Sequence, residues 1–252
     1  MNFQEAIQKI EERGDANRFA ELKPVFEEQL RTLKATDYTE RGLSYYYLLV
    51  SYLKAQLVHE TEESMDFYEE MDACFLAQEK EYLSHSKKFT KSEVQDYFRL
   101  MERCYNSLEF LYERHSFKAR RTAAYERKMY FRKNSYWTAR KIAQWIEYKF
   151  LELSSAYGTS LGRWAFTTLF FAFVVSFAYM FLDKSVVPDL RMIPHDAHWF
   201  DYFYFSTIVM TTVGLGDIYP LTTVGKALTA GEALFGFLML GIFIGMLQKR
   251  IN

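Results

Sequence analysis

Residues 164–182, from Trp164 to Leu182, run for 19 positions without a charged side chain. As a helix this stretch is roughly 28 Å long, close to the thickness of a bilayer's hydrocarbon core. A second apolar stretch, Ala227 to Gln248, carries a single charge, Glu232. Between them lie a polar segment, 183–198, and an apolar, aromatic one, 199–212. The polar segment holds Asp183, Lys184, Pro188, Arg191, Pro194, His195 and His198. The aromatic segment is 14 residues long, too short to cross a bilayer. Length alone leaves it either a re-entrant helix between two spans or an interfacial helix.

Charge divides the chain further. Its net charge is only −1 over 252 residues, but the average hides a pattern. Residues 1–113 hold 14 Lys/Arg and 23 Asp/Glu, residues 114–149 hold 11 and 2, and residues 150–252 hold 6 and 7. An acidic part, a basic collar and a nearly uncharged part follow one another. The collar (Arg120, Arg121, Arg127, Lys128, Arg132, Lys133, Arg140, Lys141) precedes the first span, with Lys149 and Arg163 closer still. Lys249 and Arg250 follow the second span, and only Lys184, Arg191 and, at the edge of the second span, Lys226 lie between the two. The positive-inside rule then predicts a multi-pass protein of the cell membrane with both termini cytoplasmic. Since an adjacent span accounts for the collar, no nucleic-acid partner is expected. The start, Met1 to Glu5, has neither a basic region nor an apolar core, so no cleavable signal is expected.

Residues 1–155 show little strand character. Apolar residues recur at helical spacing, as in Leu43, Tyr46, Tyr47, Val50, Leu53 and again in Tyr97, Leu100, Met101, Cys104, Leu108, Leu111. Helices are predicted near 3–13, 18–34, 40–57, 62–84, 90–115 and 117–155, with no repeat at a fixed period. The aromatic stripe Tyr45, Tyr46, Tyr47, Tyr52 reads as core. Cys74 and Cys104 lack CxxC spacing and a nearby histidine, so both are expected to be reduced. No nucleotide-binding loop, catalytic triad or metal cluster appears, and the chain is not expected to be an enzyme.

The chemically informative stretch is Ser206-Thr207-Ile208-Val209-Met210-Thr211-Thr212-Val213-Gly214-Leu215-Gly216-Asp217. It resembles the pore signature of two-span potassium channels, and the order span, pore helix, filter, span over residues 164–252 matches their architecture. The resemblance implies an all-α fold, a tetrameric membrane pore domain over 156–252 behind an α-helical cytoplasmic domain over 1–155. It makes Thr212, Val213, Gly214, Leu215 and Gly216 the ion-binding filter. A dehydrated potassium ion needs oxygen dipoles in place of its water. Carbonyls of Thr212, Val213, Gly214 and Leu215, with the Thr212 hydroxyl, would supply four stacked sites. Successive carbonyls face one way only if backbone handedness alternates, which Gly214 and Gly216 tolerate for want of a Cβ. The Val213 and Leu215 side chains are then expected to pack behind the filter. A pore helix near 200–211 would point its carbonyl end at the membrane centre.

The sequence departs from the commonest pattern at Leu215, where the family usually has a tyrosine whose hydroxyl tethers the filter. It departs also at Ile208, near a glutamate found in many bacterial members. Tyr204 is therefore the candidate partner for Asp217, and Thr211 and Glu232 complete the expected support. In the second span Gly236 aligns with the family's hinge glycine, and Phe237, Leu240 and Ile244 would line the cavity. Gly241 and Gly245 form a small-xxx-small pair whose reading is divided between close packing and gating. Glu232 reads as a hydrogen-bond anchor behind the pore helix with Ser206 or Thr207. A neutral satisfied acid and a cavity-facing ion ligand are its alternatives. His195 and His198 read as solvated loop residues or external pH sensors.

One chain supplies one filter loop, so a homotetramer in a lipid bilayer is expected. No cofactor is expected, and potassium is the cargo. An unknown ligand or protein at the N-terminal domain is the expected regulator. No arginine-repeat span and no C-terminal ligand-binding ring are expected. The competing functions are a non-selective cation channel, a membrane-anchored interaction protein with a vestigial pore, and a subunit of a potassium transporter.

Overall fold

The computed structural model describes residues 2–11, 19–55, 62–84, 89–184, 198–220 and 222–251. His195, with Pro188, Arg191 and Pro194, lies outside them. The described residues form ten helices and no strand. They divide into two compact units, Met1–Ile146 and Glu147–Asn252.

The first unit contains α1 (Phe3–Glu11), α2 (Phe19–Thr32), α3 (Tyr38–Lys54), α4 (Glu62–Ser84), α5 (Lys91–Arg114) and α6 (Lys118–Thr138), and α7 (Ile142–Ser155) begins at its end. Helix α5 starts on a reciprocal cap: Thr90 Oγ1 accepts from Glu93 N at 3.2 Å, and Glu93 Oε2 accepts from Thr90 N at 2.7 Å. The apolar rows of α3 and α5 face inward, and Tyr97, Met101, Cys104, Leu108 and Leu111 are all buried. Burial pushes the Cys104 thiol up to about 12, so it stays a packed thiol. Phe131 of α6 is fully buried and stacks on Tyr105 at a centroid distance of 5.5 Å.

Helix α6 ends where the sequence predicts continuous helix through 155. Arg140 sits in the left-handed region at φ 57°, and Lys141 N donates to Tyr136 O at 2.9 Å. This closing turn normally recruits glycine. Arg140 fills the position here, so no composition signal marks the stop.

The basic collar is largely internal glue. Arg121 pairs with Glu113 at 3.0 Å, Arg127 with Asp72 at 2.5 Å and Arg132 with Glu102 at 2.7 Å. Lys128 pairs with Glu109, and both Lys128 and Lys133 are buried. These cations of α6 therefore answer the acids of α4 and α5. Of the collar, Arg140 and Lys141 lie nearest the first span along the chain, and Lys141 is exposed. Hydrogen bonds also hold a buried acid in this unit. Glu79 accepts from Tyr130 Oη at 2.9 Å and Asn134 Nδ2 at 2.7 Å, and burial raises its carboxyl above the usual range.

The second unit holds α8 (Leu161–Lys184), α9 (Trp199–Met210) and α10 (Thr223–Ile251). Leu161–Asp183 and Thr223–Lys249 are long and apolar enough to cross a membrane. Helix α9 packs against both. Its inner face, Tyr202, Phe205, Ile208 and Val209, meets Val175 and Tyr179 of α8. Trp164 ties the two long helices together, donating from Nε1 to Met239 O at 2.8 Å while stacking on Phe243 at 4.7 Å.

Candidate functional site

Helix α9 begins at His198, which is exposed and whose amide donates to Asp201 Oδ2 at 2.8 Å. It ends as its carbonyls are taken up by the turn that follows. Thr211 N donates to Thr207 O, Thr212 N to Val209 O and Val213 N to Ile208 O, each at 3.0 Å. The Thr211 hydroxyl returns to Thr207 O at 2.8 Å and stays with its own helix. Thr207 does the same, bonding Phe203 O at 2.7 Å, so its hydroxyl proton goes to its own helix and not to Glu232.

Beyond this point the backbone alternates. Thr212, Gly214 and Gly216 have φ of 59°, 51° and 78°, while Val213 and Leu215 stay in the ordinary negative region. The two glycines sit where an L side chain would be strained. Thr212 carries that strain with a Cβ, at about 1 kcal/mol or more. The segment from Thr211 to Asp217 is exposed throughout, with Val213 at 60% and Leu215 at 63%. Their side chains are left uncovered by the described residues of the single chain. Tyr204 Oη donates to Asp217 Oδ2 at 2.8 Å, bringing together the two residues that the sequence pairs.

Behind α9 lies a buried polar knot. Glu232 is 2% exposed and Ser206 fully buried, and Ser206 Oγ is hydrogen-bonded to Glu232 Oε1. Tyr179 Oη donates to Glu232 Oε2 at 2.6 Å. Ser206 also donates to Ala172 O at 2.8 Å. The sequence finds Ser206 but misses Tyr179 and Ala172. One signal was available: a carboxyl in one apolar helix needs a polar partner, and a tyrosine in the other supplies one.

Gly236 lies one turn after Glu232 on the same face of α10. A Cβ there would run into the carbonyl of Met210, the last residue of α9. Gly236 therefore has a packing duty, letting the second long helix touch the C-terminal end of α9. Phe237, Leu240 and Ile244 form an exposed stripe on a different face, at 66%, 44% and 49%. Glu232 turns away from that stripe, toward α8 and α9. A methyl group in place of the Gly241 or Gly245 hydrogen would meet nothing within 4 Å among the described residues, so neither glycine supports close packing inside the single chain.

Residues 163–252 match the ion channel family. That stretch is a two-span ion-channel domain. Its relatives include the hyperpolarization-activated voltage-gated potassium channel of Methanocaldococcus jannaschii, 38% identical over 86 residues, which are 34% of this chain and 37% of that protein. Potassium voltage-gated channel subfamily A member 6 of Homo sapiens is 30% identical over 84 residues, 33% of this chain and 14% of that protein. The channel domain thus resembles a minor part of each relative. No solved structure is significantly similar to the chain.

Proposed function

We propose that four copies of this chain assemble in a membrane around one axial pore and conduct potassium passively and selectively. The observation that carries this reading is the alternation of backbone handedness at Thr212, Gly214 and Gly216 directly after the pore helix. Such alternation is the condition under which consecutive carbonyls can face one ion path. The exposure of Val213 and Leu215 supports assembly, because apolar side chains so placed need neighbouring copies to pack behind the filter. Both relatives are named as potassium channels.

In this reading Thr212, Val213, Gly214 and Leu215 hold the ions, and Gly216, Asp217, Tyr204 and Thr211 keep the strand in place. Phe237, Leu240 and Ile244 line the cavity, and Gly236 combines its packing duty with hinge motion. Residues 156–252 make the pore, and residues 1–155 regulate it from the cytoplasm, where both termini lie. An open pocket of about 590 Å³ in the first unit, lined by Tyr46, Tyr47, Lys54 and Arg114 among others, is one place where a ligand or protein could act on it. The intact filter threonines and glycines weigh against a vestigial pore.

The test is potassium efflux from vesicles carrying the purified full chain. The wild type releases potassium, and Gly214→Ala lowers the rate at least tenfold, because alanine resists φ of 51°. Equal efflux from the two proteins contradicts the filter assignment.

A further inference from the structure

The buried oxygens around Glu232 permit a proton count. Ser206 Oγ lies 2.8 Å from Ala172 O, a backbone carbonyl that can only accept. Two oxygens at that distance need a proton between them, and only the serine can supply it. A hydroxyl carries one proton. Ser206 Oγ is hydrogen-bonded to Glu232 Oε1 as well. With the serine proton on Ala172 O, the second contact takes its proton from the carboxyl. The other carboxyl oxygen, Oε2, accepts from Tyr179 Oη at 2.6 Å.

The surroundings agree with the count. Glu232 is 2% exposed, and no Lys, Arg or His side chain pairs with it among the described residues. Its neighbours are neutral: Ser206, Tyr179, and Thr229, whose Oγ1 lies 3.2 Å from Tyr179 Oη. An ionised carboxylate in such a place would be an unpaired charge in an apolar helix.

We propose that Glu232 is held as a carboxylic acid whose proton joins the second span to the pore helix, with Tyr179 and Ala172 carrying the link to the first span. Each element is then tied to the others by side-chain hydrogen bonds behind the filter. The tie sits one helical turn from the contact between Gly236 and Met210, so it fixes the height of the pore helix at the base of the filter strand. Glu232 is a positioning residue and touches no ion. Its effect on conduction rests on the channel reading, whereas its protonation does not.

Glutamine separates the parts of this claim. Its amide donates to Ser206 and accepts from Tyr179, preserving both bonds without a titratable proton. Alanine preserves neither. The experiment compares the full chain, Glu232→Gln and Glu232→Ala in lipid at neutral pH, by infrared spectroscopy and by potassium efflux. The expected spectrum has a hydrogen-bonded carboxylic acid carbonyl band in the wild type that Glu232→Gln lacks. Glu79, buried in the other unit, is common to both proteins and cancels in the difference. Efflux of Glu232→Gln is expected within twofold of wild type, and that of Glu232→Ala at least fivefold lower. A carboxylate difference signal in place of the acid band overturns the proposal. So does a tenfold loss of efflux in Glu232→Gln, which would give the acid itself a part in conduction. An acid band in a wild-type protein without efflux supports the protonation and overturns only the channel reading.

Discussion

The two units treat their aromatic side chains in opposite ways. Tyr105, Tyr112, Phe75, Phe98 and Phe131 of the first unit are almost wholly buried, and most of them pack ring against ring. In the channel domain Phe166, Phe181 and Phe237 are 69%, 75% and 66% exposed. Charges divide the same way. The first unit ties α6 to α4 and α5 through several ion pairs, while the channel domain buries a hydrogen-bonded knot around Glu232. The first unit thus finds its partners within one chain. Among the described residues, the apolar faces of the channel domain and its segment Thr211–Asp217 stay uncovered, as in a piece made for lipid and for neighbouring copies.

Substitution at Gly236 should break the contrast most severely. Valine there drives a branched side chain into the Met210 carbonyl. Potassium efflux is expected to fall at least a hundredfold, while thermal unfolding of the first unit stays in place. Retained efflux would mean that the close approach of α10 to α9 does not matter to the pore.

Removal of residues 1–145 should have a smaller and different effect. Every filter and span element lies beyond that point, so tetramers and conduction should persist, with open probability changed severalfold. Complete loss of tetramers in detergent would make the first unit the assembly element instead.

The mildest expected effect on conduction comes from Phe131→Ala. It empties a fully buried site and should destabilise the first unit by about 3–5 kcal/mol, read by denaturant unfolding, with efflux still measurable. Loss of conduction equal to that of Gly236→Val would show that the pore depends on that core.

Much of the channel domain was legible in the sequence because the signals there are local. Trp164–Leu182 lies inside α8, and the 200–211 expectation falls within one residue of α9 at each end. Long uncharged runs and a contiguous motif need no knowledge of the rest of the fold. The first unit shows where such reading stops. Arg140 closes α6 without glycine or proline, so one predicted helix is two. The sign of Arg127 or Arg132 cannot reveal whether it faces lipid headgroups or Asp72 and Glu102, which are 55 and 30 residues away in the chain. Tyr179 and Glu232, 53 residues apart, pose the same problem in the membrane helices. At the filter, glycine advertised positive φ at two positions, but Thr212 adopts it without being glycine.

Ion selectivity depends on the backbone of residues 212–216 in the proposed pore. Backbone carbonyls hold the ions in the proposed filter, and Leu215 supplies the same carbonyl that tyrosine would. What leucine lacks is a hydroxyl tether worth about 1 kcal/mol net per subunit. That loss should appear as filter instability at low external potassium before it appears as sodium leak. The measurement is the reversal potential of the purified full-length protein in a planar bilayer, with potassium on one side and sodium on the other. A reversal potential close to the potassium equilibrium value is the predicted result. A value near zero, meaning comparable permeability to the two ions, would contradict the account and make this pore a non-selective cation channel.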